Sequence, residues 1–380
     1  MKKTKTNNMN KPTKIFVDCH VFDKEFQGTQ TYIRGLYLEL LQHEHLHFFL
    51  AAYDITNLKT IFGTHKNVTY VKYTSKNAAI RLLLLLPYLI KRHKIQYAHF
   101  QYRVPPIKFC KYILTIHDVL FEDFPEYFST LNKWQSFLTY KYSAKLSDRI
   151  FTVSEYSKNR IEAHLNVKDV IVHPNGVQDV FFEPYNKERI QNEIANTYHI
   201  KDYILFISRW EPRKNHLMLL KTFVEKELYK KCELVFIGDN TNIHAAYLNY
   251  YNTLPLEIKQ KISTLNNVPF KELLLFIRGA KLSVYPSSAE GFGIPPLETV
   301  AAKIPTICAN ETAMSDFIFL GENLVSLKNE TLFQEKICEA INNPEQEHSR
   351  IKKANFVKAN YNWPIAAARY LDAIKKTIDF

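Results

Sequence analysis

Glycine is scarce in this chain, with 9 residues in 380, about a third of the ~7% share of an average protein. No strand-like run is followed by GxGxxG, the turn that brings backbone against a dinucleotide pyrophosphate, which argues against a dehydrogenase. Cysteine is sparse too. Cys19, Cys110, Cys232, Cys308 and Cys338 are scattered, with no CxxC pair. That pattern argues against a disulfide framework or a zinc site and fits reduced thiols in a cytosolic protein. No apolar run is long enough to span a bilayer; the longest is LLLLLPYLI at 82–90. The opening stretch MKKTKTNNMNKPTK is polar and lacks the apolar core of a signal peptide. The expected location is therefore cytoplasmic.

Acidic residues are also in short supply, 38 against 50 lysines and arginines, for a net charge of +12. This balance suits anionic partners such as phosphates or an anionic membrane, and general surface basicity explains it equally well. An aromatic-basic signature of a nucleic-acid module is missing, so no nucleic-acid partner is expected. Arg81 and KRHK at 91–94 flank the apolar run. They allow an interfacial helix at the inner face of the cytoplasmic membrane, although a core helix of an α/β domain is the favoured reading.

What the chain does have is alternation. In the first half, strands are predicted at 14–21, 47–53, 67–73, 96–101, 111–118, 149–154 and 169–175, with helices at 31–42, 77–93, 131–146 and 155–165. After a loop at 179–189 the pattern begins anew. Strands are predicted at 203–208, 233–239, 281–287 and 304–310, with helices at 216–226, 271–280 and 295–302 and more helix to the C-terminus. The fold class is thus α/β, with two Rossmann-like, doubly wound parallel sheets facing across a cleft. Residues 1–180 form one domain and 181–362 the other, and a terminal helix at 363–380 packs back on the first. Ligands of such sheets bind beyond the carboxyl ends of the strands.

Chemistry-bearing residues collect at those ends. His117 and Asp118 close KYILTIHD, Ser208 and Arg209 follow YILFIS, and Glu290 follows KLSVYPSSA. The turn SRWEPRKNH (208–216) carries two guanidiniums and the Lys214 ammonium just before a helix. Helix N-termini attract anions, so the turn suits phosphate, or it is simply a solvated basic turn. EGFGIPPLE (290–298) spends two of the few glycines within three residues, fenced by two carboxylates. Glycine lets backbone N–H groups at 291–294 approach a ligand closely. Pro295 and Pro296 suit a first helical turn. Glu298 is then expected in that turn, either binding the hydroxyls of a diol or capping its own helix.

Taken together, these segments resemble the retaining, nucleotide-sugar-dependent glycosyltransferases of family four, which have the GT-B fold. Glu290 and Glu298 match the Glu–seven residues–Glu motif, and Arg209 and Lys214 match its Arg and Lys. AHFQYRVPP, TIHDVLFEDFPEYF, SDRIFTVSEYSKNRI, HPNGV, NNVPFKELLLFIRGAKLSVYPSS and YNWPIAAARYL extend the similarity over residues 14–375. The resemblance implies that Arg209 and Lys214 hold the donor pyrophosphate, with Ser208 beside them. It implies that Glu290, with the N–H groups of Gly291, Phe292, Gly293 and Ile294, binds the donor sugar, that Glu298 binds the ribose, and that Val268 meets the base. His117 would sit by the transferred sugar. Asp118 and the loop QGTQTY (27–32), with Gly28 and Thr29, would lie near the donor phosphate and the acceptor. Three departures stand out: Thr29 and Gln30 follow Gly28, Lys303 occupies a common glycine position, and Asp316 replaces a usual glutamate.

The expected activity is transfer of a sugar from a nucleotide diphosphate, with GDP-mannose the expected donor. The acceptor is a glycan or lipid-linked hydroxyl in surface polysaccharide biosynthesis, and no metal or other cofactor is expected. The alternatives are a sugar-nucleotide epimerase, or a non-catalytic nucleotide-sugar-binding protein on the same fold.

Overall fold

The computed structural model describes residues 12–23, 27–241 and 243–375. Most of the polar opening stretch and the last five residues of the expected terminal helix lie outside that range. One parallel sheet contains β1 (Thr13–Asp18), β2 (Leu46–Ala52), β3 (Val68–Lys72), β4 (Tyr97–Gln101), β5 (Lys111–Thr115), β6 (Arg149–Thr152) and β7 (Ile171–Val172), in the order β3-β2-β1-β4-β5-β6-β7. The other contains β8 (Tyr203–Ile207), β9 (Glu233–Ile237), β10 (Ile262–Leu265), β11 (Leu282–Tyr285), β12 (Thr306–Ala309) and β13 (Leu324–Val325), in the order β10-β9-β8-β11-β12-β13. Helices cover both faces. The central strands therefore read as largely apolar runs, as in LVFI of β9 and LSVY of β11, all buried. In each sheet the strand order reverses once, between β1 and β4 and between β8 and β11. Ligands of open α/β sheets bind beyond the carboxyl ends of the strands at such a reversal.

Several elements differ from the sequence expectation. The helix expected at 31–42 spans Gly28–Leu40, so the expected loop 27–32 is its first turn. The loop expected at 179–189 ends in a helix, Lys187–Tyr198, which the Asn186 side chain caps by accepting from the Arg189 amide. This helix has a weak apolar pattern, because its buried face is little more than Ile190 and Ile194. The edge strand β10 is half-exposed and lacks a continuous apolar run. The segment at 78–93 is helical with a π turn at Arg81–Leu85. Arg81 does not flank an interface; it is buried, with Nε 3.4 Å from Asp18 Oδ2. Burial alone would raise the Asp18 carboxyl, but His20 and Arg81 hold it well below the carboxylate range. Leu86, Leu89 and Ile90 fill the core as favoured, while Leu83, Leu84 and Tyr88 face outward, each more than half exposed.

The helix Trp363–Lys375 crosses back to the first sheet. A Cβ on Gly35 would lie 2.0 Å from the Trp363 ring. Tyr370 reaches the Tyr37 hydroxyl at 3.0 Å, and the Ala366 carbonyl is 2.6 Å from His173 Nε2. Among the described residues, no helix is long and apolar enough to cross a membrane.

Candidate active site between the two sheets

Pro212 opens a 3-10 turn, Pro212–Lys214, and Asn215 at φ +60° ends it before the helix His216–Glu225. The turn folds two cations inward onto the loop after β11. Lys214 Nζ donates to Glu290 Oε1 at 2.5 Å, and Arg213 Nη1 donates to Glu290 Oε2 at 3.2 Å and to the Ala289 carbonyl at 2.5 Å. Burial alone would raise the Glu290 carboxyl, yet Lys214 and Arg213 outweigh it and hold the group at about 2. Burial likewise lowers the Lys214 ammonium, and Glu290 opposes that shift. Arg209 is more exposed. It pairs with Glu211 Oε1 at 2.8 Å, while Arg213 takes Oε2 at 2.6 Å.

The loop is held by backbone contacts on both sides of the cleft. The Glu290 amide donates to Thr312 Oγ1 at 2.8 Å. The Gly291 carbonyl accepts from Ser154 Oγ at 3.0 Å and Ser157 Oγ at 3.2 Å, both from the helix region after β6. A Cβ on Gly291 would come 2.5 Å from Asp118 Oδ2, so the two sheets' loops meet there and any side chain would force Asp118 to shift. Gly293 lies at φ +102°, a conformation that disfavours any side chain. With their carbonyls and side chains so placed, the N–H groups of Gly291, Phe292, Gly293 and Ile294 have no hydrogen-bond partner among the described residues. The Phe292 ring itself is buried against Phe317 and Tyr361.

Glu298 departs from its expected place. The helix begins at Ile294 and carries no acidic residue in its first turn, so Glu298 lies beyond the reach of a capping role. Its carboxylate is partly buried without a hydrogen-bond partner among the described residues, and burial pushes it up to about 7.

Opposite these groups, His117 and Asp118 follow β5. His117 Nε2 lies 2.8 Å from Gln101 Oε1, and burial lowers the imidazole to about 3. It is therefore neutral, donating from Nε2 and leaving Nδ1 as an acceptor. Burial raises Asp118, partly offset by Arg213. Ser208 Oγ hydrogen-bonds His216 Nε2 at 3.0 Å, and His216 stacks on Trp210 at 4.0 Å. Val268 is half-buried after β10. Gly28 is exposed at the start of its helix, where an added Cβ would meet nothing within 4 Å, and Thr29 beside it is buried. Among the described residues, no three His, Cys, Asp or Glu side chains gather as metal ligands.

Residues 26–180 match the family described as Glycosyltransferase Family 4, and residues 186–356 match Glycosyl transferases group 1. The chain belongs to the family 4 glycosyltransferases. It is 28% identical over 251 residues to the O-antigen chain mannosyltransferase RfbU of Salmonella typhimurium, covering 66% of this chain and 65% of that one. It is 26% identical over 236 residues to an uncharacterized glycosyltransferase, MJ1178, of Methanocaldococcus jannaschii, covering 59% of this chain and 58% of the relative. These matches thus span less than two thirds of the relatives' length. The sucrose-phosphate synthase of Thermosynechococcus elongatus shares the GT-B fold, with a TM-score of 0.76 at 13% identity, covering 96% of this chain and 99% of that one.

In this glycosyltransferase, sequence reasoning overlooked Arg213, Thr312, Ser154 and Ser157 as parts of the site. Arg213 stood in the quoted basic turn, but nothing local distinguishes the guanidinium that turns inward from the one that stays out. Two of the three departures noted in the sequence have local explanations. Lys303 sits at φ +60°, a conformation in which glycine is the easier residue. The shorter Asp316 reaches the opposite side, where its Oδ2 accepts from the Glu155 amide at 2.9 Å.

Proposed function

We propose that this glycosyltransferase moves a sugar, mannose in the first instance, from a nucleotide diphosphate donor such as GDP-mannose to a hydroxyl of a glycan or lipid-linked acceptor, with retention of anomeric configuration, in surface polysaccharide assembly. The observation that carries this reading is the cluster of Lys214, Arg213 and Glu290 beside four N–H groups without a partner among the described residues, with His117 and Asp118 opposite on the first sheet's loops. The cations and the helix start at His216 suit a diphosphate. Arg209 and Lys214 would stabilise the charge that develops on the leaving diphosphate, with no metal needed. Glu290 and the N–H groups of 291–294 would bind hydroxyls of the donor sugar, with His117 beside it. Glu298 would take the ribose diol, the backbone at Val268 the base, and Ser208 would hold the turn through His216. Gly28, Thr29 and Asp118 would line the acceptor side. Mannose is favoured because RfbU is named an O-antigen chain mannosyltransferase.

Peripheral membrane contact belongs to the same reading. Leu83, Leu84 and Tyr88 are exposed on one helix, and Leu131, Trp134 and Leu138 on another. The loop between them joins the two, with Phe109 under Lys91 and Pro106 bonded to Tyr142. This apolar face is fringed by lysines, which suits the inner, anionic face of the cytoplasmic membrane.

The test is a panel of GDP-, UDP- and dTDP-sugars offered with mannose-terminated oligosaccharides and followed by NMR of the product's anomeric proton. Transfer from GDP-mannose with an α-linked product is expected. Release of an epimer without acceptor would favour an epimerase. Binding of donors without turnover would favour a non-catalytic sugar-nucleotide binder.

A further inference from the structure

Tyr102 follows β4 at the switch point of the first sheet and has φ +63°. The Arg103 amide donates to the Gln101 carbonyl at 2.7 Å, closing a γ-turn around Tyr102. A γ-turn whose central residue has positive φ is the rare, strained form, and a bulky side chain at positive φ adds to the strain. The surroundings hold it there. The Tyr102 amide donates to the Thr115 carbonyl at 2.9 Å, and Arg103 Nε donates to Thr139 Oγ1 at 3.0 Å. The ring stacks on Tyr140 at 5.1 Å and leans on His117 at 5.5 Å. The side chain is half-buried, and its hydroxyl has no hydrogen-bond partner among the described residues. Besides burial, Asp118 raises its proton affinity, while Arg209 and Arg213 across the cleft lower it. The hydroxyl thus lies within the electrostatic reach of both sheets' site residues.

A strained residue persists where the surrounding structure enforces it, and such residues gather at functional sites. Glycine would adopt the same turn without strain, so the phenol itself is what the strain preserves. The groups suited to the donor (Lys214, Glu290 and Glu298) come from the second sheet, whereas Tyr102 comes from the first, beside His117. Resting on the transfer reading above, we propose that Tyr102 is an acceptor-binding residue whose hydroxyl donates a hydrogen bond to an oxygen of the acceptor glycan, next to the hydroxyl that attacks.

Tyr102→Phe removes only the oxygen and keeps both ring contacts. With GDP-mannose as donor and methyl α-mannoside and mannose disaccharides as acceptor probes, kcat/KM for the acceptor should fall roughly three- to tenfold, the size of one uncharged hydrogen bond. The loss should appear in the acceptor KM, with the melting temperature and the calorimetric affinity for GDP unchanged. Equal kcat/KM in wild type and variant overturns the assignment. So does a lowered melting temperature with a uniform loss of activity, which would mark the hydroxyl as structural. If the wild-type enzyme transfers no sugar to any probe, the reading on which the assignment rests fails with it, and that outcome is distinct from active but equal enzymes.

Discussion

Lys214 Nζ lies 2.5 Å from Glu290 Oε1, tying the basic turn after β8 to the glycine loop after β11. Both side chains are largely buried. Removing either leaves the other as a buried charge short of a partner, which is costlier than losing an exposed pair. Lys214→Ala should therefore raise the transfer barrier by roughly 2–4 kcal/mol and also lower stability by roughly 3 kcal/mol. Arg209→Ala should show a similar kinetic loss with an unchanged melting curve, because its guanidinium is 55% exposed and its pair with Glu211 is a surface pair. Kinetics and melting curves on both variants check this. Near wild-type turnover in both would place the diphosphate elsewhere.

Arg213 touches Glu211, Ala289 and Glu290, and so sets the position of Glu290. Arg213→Lys keeps the charge but cannot span three acceptors with a planar fork. It should lower kcat/KM for the donor by roughly tenfold or more, read from steady-state kinetics. Full activity would show that Lys214 alone orients the carboxylate.

The two glutamates should separate in kinetics. Glu290→Gln should lower kcat by roughly tenfold to a thousandfold, because on the proposed reading its contact to the reacting sugar would strengthen in the transition state. Glu298→Gln should mainly raise the donor KM, since the ribose does not react. A stable Glu290→Gln enzyme with unchanged kcat would remove the sugar-binding assignment.

Glu298 also predicts a pH dependence. Its folded value of about 7 lies above the ordinary 4.5. A carboxyl raised in this way favours the folded state below its unfolded value, and that contribution is lost as pH rises through about 7. Glu298→Gln lacks this titration, so its melting temperature relative to wild type should climb from pH 5 to pH 8. The wild-type donor KM should also rise as pH falls below about 7, with a flat profile in the variant. Parallel profiles for the two proteins would show that Glu298 does not titrate in this range.

Transfer should survive EDTA, because on the proposed reading Arg209, Lys214 and the helix start at His216 would meet the charge on the leaving diphosphate. Activity abolished by chelation and restored by magnesium or manganese would overturn the metal-free reading. Sedimentation with anionic liposomes should be weakened by salt and by Leu84→Glu or Trp134→Glu, each residue being at least 60% exposed. Binding indifferent to salt, lipid charge and both substitutions would remove the membrane face.

Much of the architecture is local in origin. Strands buried on both faces are mostly apolar, so β2, β5, β8, β9 and β11 announce themselves, and their alternation with helices dictates parallel sheets. The same logic makes the strand ends legible, together with the glycine pair at 291 and 293 and the two glutamates eight positions apart. What the sequence could not disclose depends on which side chain meets which partner after folding. Arg209 and Arg213 are chemically identical and four residues apart, and a 3-10 turn ending at Asn215 sends one inward. Arg81 looks like a basic flank until a π turn rotates it onto Asp18. Glu298 looks like a helix-start carboxylate until the helix begins at Ile294 and the packing around it takes much of its solvent. Tyr102 lies in the quoted segment AHFQYRVPP, but nothing there marks its strain, which comes from neighbours recruited across the first sheet. Backbone pattern follows from the burial of successive residues, whereas charge pairing, proton affinity and strain follow from contacts between residues far apart in the chain, and only the tertiary structure brings those together.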